Sequence, residues 1–388
     1  MRITEAEFAE RREALAGRAA ERGLDGVVLF DPQYVHYYTG FFFIPTERPI
    51  AFALGSDGRG GMLVPRLELE HAQANTAVQE VSHYDEYPGE RHPMEALRDL
   101  LSALGIGGAL GADHDGYPWI FGYRGPGLGA WTPVADLVED QMAIKSPAEI
   151  ELIRESCTWA NLAHTLLQRY THAGATETEV ETRASNEATA AMLDAIGPIY
   201  RGQSPYYAGV TAGYRGQIGR NASIPHAHGN NIRFEIGDVL VTGASAPVWG
   251  YHSELERTMV IGPPSDEQRR MFDHMLALQD LAIEAIKPGI PCGEVDETVR
   301  RYYDRHELWD NWRHHVGHAI GMRYHEGPFL DRGDRTEIRP GMVFTVEPGL
   351  YAPNLGGFRH SDTIAVTGDG VEWLTYYPRD LEALTLNA

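Results

Sequence analysis

The sequence contains very little lysine, very little cysteine and no long apolar run, and each shortage excludes a class of protein. Only two of its 33 basic residues are lysines, against 55 acidic residues, and the net charge is −22. Nucleic-acid phosphates bind to clustered cations, so we expect no nucleic-acid partner. The longest apolar runs are pieces such as GVVLF, far below the ~18 residues of a membrane span, so we expect no membrane contact. The two cysteines, Cys157 and Cys292, lie far apart, which predicts no disulfide framework and a cytoplasmic protein.

Two regions with different hydrophobic patterns follow one another along the 388 residues. Residues 1–141 open with an amphipathic helix at 1–22 and then alternate strand-like and helix-like segments, which predicts an α/β domain. Residues 142–388 begin with Ser146-Pro147 as the N-cap and first residue of a long helix. Further helices are predicted at 266–287 and 292–307, and strand-rich blocks surround them. Helices segregated from strands predict an α+β domain for this second region.

Polar residues interrupt the strand pattern in five blocks of the second region. The blocks are NASIPHAHGNN, GYHSELERT, HHVGHAIGMRYHEGP, GMVFTVEPGLY and GGFRHSDTIAV. Buried carboxylates and imidazoles cost free energy unless they are paired, ligated or bound to a charged ligand. Five such blocks in one half of the chain therefore predict a functional site.

These motifs resemble the pita-bread hydrolase family, which includes methionine aminopeptidase, aminopeptidase P, prolidase and creatinase. Gly-His-Ala-Ile-Gly followed by His-Glu, and then Met-Val-Phe-Thr-Val-Glu-Pro-Gly, carry the resemblance. The IKSPAEI stretch matches the entry to the family's catalytic domain. The resemblance implies a creatinase/prolidase-type α/β N-terminal domain at 1–141 and an α+β pita-bread catalytic domain at 142–388.

The family's metallopeptidases hold two metal ions on two Asp, one His and two Glu residues. The resemblance places those five ligands on Gly243, Glu254, His318, Glu347 and Ser361. Glycine has no ligating atom, and a serine hydroxyl replaces a bridging carboxylate poorly. We therefore expect no metal and no other cofactor. The alternative is a single divalent ion, such as Mn or Co, on Glu254, His318 and Glu347.

The site residues resemble those of creatinase, which works without metal. Residues 255–258 read Leu-Glu-Arg-Thr as in creatinase, so the resemblance assigns binding of a cationic substrate to Glu256 and Glu347. It also assigns the catalytic base to His226, with His318 as a further catalytic residue. Two carboxylates can accept the paired N–H donors of a guanidinium or amidinium group. An imidazole can then transfer protons near neutral pH.

The remaining candidates are expected to bind substrate. Arg48, in TERPIAF, resembles the creatinase arginine that reaches a neighbouring subunit's site and binds the substrate carboxylate, which implies a homodimer. Further candidates for substrate binding are His252, Glu254, Arg323, His325 and His360. Aromatic residues that could line a cationic pocket are Tyr206, Tyr207 and Trp249, whereas Arg257 is expected to form a structural salt bridge.

The leading prediction is a creatinase-like, metal-independent hydrolase that cleaves a C–N bond of a small amidine, guanidino or amide substrate. One alternative is a metal-dependent Xaa-Pro dipeptidase or aminopeptidase with an altered metal site. Another is a catalytically inactive member of the family that acts by binding. Retention of His226, His318 and Glu347 argues against the inactive protein.

Overall fold

A computed structural model describes residues 2–116, 126–197 and 209–387 of the chain. These residues form two compact units, Ile3–Gln141 and Met142–Ala388. Within the described ranges, every helix is too short or too polar to cross a lipid bilayer. The helices are α1 (Glu5–Glu21), α2 (Pro32–Thr39), α3 (Leu69–Asn75), α4 (Pro93–Ala103), α5 (Ala135–Ala143), α6 (Pro147–Tyr170), α7 (Glu177–Ile196), α8 (Asp266–Ala285) and α9 (Cys292–His306).

The first unit is an α/β domain built on a six-stranded mixed sheet. Its strands are β1 (Gly26–Leu29), β2 (Ala51–Gly55), β3 (Gly60–Pro65), β4 (Glu80–Tyr84), β5 (Leu110–Ala112) and β6 (Thr132–Pro133). The order across the sheet is β4-β3-β2-β1-β5-β6, in which β1 runs antiparallel to β2 and parallel to β5. Strands β1 and β2 are buried along their whole length, as the apolar runs in the sequence predict.

Among its described residues, the second unit combines four α-helices with several small sheets that are mainly antiparallel, which confirms the predicted α+β class. Its strands are β7 (Thr211–Gly213), β8 (Val239–Val241), β9 (Gly243–Ser245), β10 (Thr258–Ile261), β11 (Gly317–Ala319), β12 (Glu326–Leu330), β13 (Val343–Val346), β14 (Leu350–Ala352), β15 (Gly356–Phe358), β16 (Asp362–Val366), β17 (Val371–Trp373) and β18 (Thr385–Leu386). Five of them form the sheet β12-β11-β13-β16-β17.

Helix α6 begins where the sequence predicts. The Ser146 side chain accepts a hydrogen bond from the Glu149 backbone N–H, and the Glu149 carboxylate accepts one from the Ser146 backbone N–H. This capping box satisfies two N–H groups that a helix otherwise leaves without partners. Helices α8 and α9 also lie within two residues of their predicted ranges, since capping signals are local in sequence.

Candidate active site

Three sheet segments bring the polar blocks of the second unit together. His318 is the central residue of β11, and Glu347 directly follows β13, the neighbouring antiparallel strand. Glu254 and Glu256 precede β10, and Glu256 forms an antiparallel bridge with Ser361. Pairing among these segments therefore places residues nearly a hundred positions apart in sequence within contact distance.

Glu254, His318 and Glu347 form a cluster that could hold a metal ion. One ligand atom of each lies within 4.8 Å of the others. The His318 Nδ1–H donates to the Ala319 carbonyl at 3.0 Å, which turns Nε2 towards the two carboxylates. Nε2 lies 3.2 Å from Glu347 Oε1, yet it has no partner with hydrogen-bond geometry among the described residues. A ring nitrogen directed between carboxylates and oriented by a backbone carbonyl fits the donor set of a divalent metal.

The electrostatics of the cluster also favour a cation. Although burial lowers the pKa of His318, the Glu347 and Glu254 carboxylates raise it to about 9. Burial, together with the charges of Glu347 and Glu256, raises the pKa of Glu254 to about 8. Repulsion of the Glu254 carboxylate by those of Glu347 and Glu256 is relieved by a positive charge placed between them, whether a proton or a metal ion.

Gly243 and Ser361 contribute no carboxylate to the cluster. A Cβ at Gly243, in β9, would lie 3.5 Å from Glu256 Oε1. The Ser361 hydroxyl donates a hydrogen bond of 2.7 Å to Glu254 Oε1. Ser361 therefore orients a cluster residue, and three candidate ligands remain, enough for a single ion.

An arginine of the same chain lies between Glu256 and Glu347, where a cationic substrate group was expected. Arg359 Nε donates to Glu256 Oε2 at 2.5 Å and lies 3.6 Å from Glu347 Oε2. Its Nη1 donates to the Tyr351 hydroxyl, and the side chain is only 3% exposed. Arg359 compensates the carboxylate charges internally, so a substrate guanidinium would have to displace it.

The histidines of the polar blocks occupy different environments. His325 stacks on His318 with ring centroids 3.9 Å apart, and burial followed by the charge of His318 lowers its pKa to about 4. His226 is exposed in a turn, near enough to be among the groups that lower the pKa of His325. His252 is half-buried, with its ring 4.4 Å from that of Tyr324, and burial lowers its pKa to about 4. Of these three rings, that of His325 contacts the cluster directly, through His318.

The structure also gives contacts for His360, Arg323 and Arg48, which were predicted to bind substrate. The His360 Nδ1 accepts a hydrogen bond from the Thr258 N–H, and its Nε2 donates one to the Arg379 carbonyl. Both ring nitrogens are therefore hydrogen-bonded to backbone groups. The Arg323 backbone N–H donates to Glu326. In the first unit, Arg48 pairs with Glu86 at 2.6 Å and with Glu47. Residues Tyr206 and Tyr207 lie outside the described ranges.

A cavity of about 430 Å³ opens beside the cluster, within the size range of small-molecule sites. Its lining includes Glu181, Arg215, Glu254, Glu256, Tyr324 and His325. Sequence reasoning missed Arg215 and Glu181, since neither stands in a recognisable motif. The glycines on either side of Tyr214-Arg215 were the only signal that a turn could present this arginine to a site.

Comparison with known proteins identifies related sequences and structures. Residues 151–368 match the model of metallopeptidase family M24, and residues 11–127 match that of the creatinase/prolidase N-terminal domain. An Xaa-Pro dipeptidase of Pyrococcus furiosus is 29% identical over 377 residues, which are 96% of this chain and 99% of the relative. The structure of an Xaa-Pro dipeptidase from Bacillus anthracis is 25% identical, with a TM-score of 0.79 over 98% of this chain and 100% of that one. The prolidase from Pyrococcus horikoshii OT3 is 26% identical, with a TM-score of 0.79 over 96% and 99%.

These matches confirm the resemblance to the pita-bread family and correct two predictions. The creatinase-like, metal-independent hydrolase is wrong, because the similar proteins are named Xaa-Pro dipeptidases and the matching family is one of metallopeptidases. The expected absence of a metal cofactor is wrong for the same reason. Although Gly243 and Ser361 stand at two of the five ligand positions, Glu254, His318 and Glu347 still converge.

Proposed function

Because the chain belongs to metallopeptidase family M24, we propose that it is a metal-dependent dipeptidase that cleaves the peptide bond before a proline. The observation that carries the proposal is the convergence of Glu254, His318 and Glu347 within 4.8 Å. The names of the similar proteins support Xaa-Pro dipeptides as the substrate class. We infer that these three residues hold one divalent ion, such as Mn²⁺ or Co²⁺.

The chemistry that such an ion supplies is Lewis-acid polarisation for amide hydrolysis. In the reaction, water adds to the carbonyl carbon, the C–N bond breaks and the proline nitrogen takes up a proton. His325 is placed to accept a proton from the attacking water, because it stacks on His318 and lines the cavity. A neutral imidazole has one ring nitrogen whose lone pair can accept that proton. We retain His226 as a second candidate proton carrier.

The proposal is tested by metal content and turnover together. The protein is stripped with a chelator, reloaded with Mn²⁺ or Co²⁺, and assayed on Xaa-Pro dipeptides, Xaa-Ala dipeptides and creatine. We expect turnover of Xaa-Pro dipeptides only after reloading, and a His318→Ala variant that neither retains the ion nor turns over.

His172→Ala is the matched control. The His172 Nδ1 also contacts the carbonyl of the following residue at 3.0 Å, but its ring is exposed and outside the cluster. We expect this variant to retain both metal and activity. Undiminished turnover by metal-free protein, or turnover of creatine in place of dipeptides, would contradict the proposal.

Two further predictions are retained as proposals. The first is a homodimer in which Arg48 reaches the neighbouring subunit, to be tested by sedimentation and by Arg48→Ala. The second is a cytoplasmic location, which the free, buried Cys157 and Cys292 support, because a reducing compartment keeps thiols unpaired.

A further inference from the structure

Arg215 is held in a backbone conformation that is uncommon for any residue except glycine. Its φ is +51°, in the left-handed region. The backbone on both sides is fixed by carboxylates: the Tyr214 N–H donates to Glu181 at 2.5 Å, and the Gly216 N–H donates to Glu177. Strained residues persist where the surrounding structure determines them, and they concentrate at ligand sites. The surrounding structure therefore holds Arg215 in a strained backbone conformation, in which its side chain lines the cavity.

The Arg215 side chain lies in the cavity beside the metal cluster and is only partly engaged. Its Nη2 lies 3.2 Å from Glu256 Oε1 and 3.3 Å from Gln217 Oε1, and 54% of the side chain is exposed. Glu256 itself is held on its other oxygen by Arg359. One edge of the Arg215 guanidinium is thus oriented by the protein, and its other N–H groups have no hydrogen-bond partner among the described residues, so they can meet a ligand.

The charge of the cavity lining gives this arginine a specific role. The other ionisable side chains among the described residues that line the cavity are the carboxylates of Glu181, Glu254 and Glu256, the phenol of Tyr324 and the imidazole of His325. Arg215 is therefore the one permanent cation among these lining residues. A free dipeptide carries a carboxylate one residue beyond the bond to be cleaved, and a guanidinium binds a carboxylate through two parallel hydrogen bonds.

We propose that Arg215 binds the C-terminal carboxylate of the substrate and so restricts the enzyme to dipeptides. This inference rests on the proposed dipeptidase function and adds a specificity residue to it. Because a peptide amide or a longer peptide has no carboxylate at that position, it leaves the Arg215 guanidinium without an anionic partner. Wild-type protein should then prefer a dipeptide over its C-terminal amide.

The experiment compares an Xaa-Pro dipeptide with the same dipeptide amide in metal-loaded protein. We expect the ratio of kcat/KM for dipeptide over amide to fall about 10- to 100-fold in Arg215→Met, since one charge-assisted contact is lost. Arg215→Lys should keep part of the preference, because it retains the charge without the paired donors. Arg220→Met, an exposed arginine five residues away, is the matched control and should keep the wild-type ratio.

The outcomes separate this inference from the proposed function. An unchanged ratio in Arg215→Met, or no preference for the free carboxylate in wild-type protein, overturns the role of Arg215. Turnover of neither substrate by wild-type protein overturns the dipeptidase proposal. The same pair of compounds is then compared by calorimetric binding, where tighter binding of the dipeptide than of the amide, lost in Arg215→Met, still supports the carboxylate site.

Discussion

Replacing Arg257 by methionine should destabilise the second unit more than any surface substitution. Arg257 and Asp362 form an ion pair 2.8 Å long in which both side chains are fully buried, and this confirms the predicted structural salt bridge. The guanidinium also donates to the carbonyls of Glu256, Ser361 and Pro378. It therefore joins the two segments that carry the site to the C-terminal part of the chain.

The size of the expected loss of stability depends on the Asp362 carboxylate, which Arg257→Met leaves buried without its ion-pair partner. Removing one partner of a buried ion pair leaves the charge of the other partner buried and unpaired. This lowers the free energy of unfolding by about 3–5 kcal/mol. Asp362 keeps hydrogen bonds from Gln279 and Thr375, so its carboxylate is not stripped of every donor. Since domains have total stabilities of about 5–15 kcal/mol, the loss is a large fraction of the whole.

Urea unfolding at a fixed metal concentration measures this loss, because a bound ion would otherwise shift the apparent stability. Arg154→Met is the control: its ion pair with Glu372 has the same length, 2.8 Å, but the side chains are 32% and 43% exposed, and exposed pairs contribute less than about 1 kcal/mol. A double variant, Arg257→Met with Asp362→Leu, should recover part of the stability because no charge remains buried. The reasoning is refuted if Arg257→Met costs no more than Arg154→Met.

Two further predictions concern buried titratable groups. Burial, followed by the charge of Arg257, lowers the pKa of His164 well below its usual value. As the pH falls, His164 is therefore protonated in the unfolded chain before it is protonated in the folded one. The free energy of unfolding keeps the full contribution of neutral His164 above about pH 6.5 and falls by about 1.4 kcal/mol per pH unit below it. His164→Gln should flatten the acid limb of a stability-against-pH curve by that slope, and an unchanged slope would contradict the assignment. Burial raises the pKa of both Cys157 and Cys292 to about 12, so a thiol reagent should label neither in native protein and both in urea. Rapid labelling of the native protein would show that a thiol is accessible.

Local sequence motifs identified some residues of the candidate site but not the contacts among them. Glu254, His318 and Glu347 were identified individually, because each stands in a motif whose residue types and spacing are local. The prediction about metal was wrong because Gly243 and Ser361 carry no carboxylate, whereas the distances among the residues that remain depend on the tertiary structure. That Arg359 lies between Glu256 and Glu347 depends on the bridge between Glu256 and Ser361, across more than a hundred residues.

The sequence by itself determined the family, the two fold classes and the helices that begin with strong capping signals, because hydrophobic period and capping chemistry act over a few residues. Tertiary structure alone decided which charges meet. It placed His360 against backbone groups, Arg359 between two carboxylates and Arg215 in the cavity, in each case through strand pairing or a turn held by distant carboxylates. Coulomb energies depend on distance and burial, and neither quantity can be read from the order of residues along the chain.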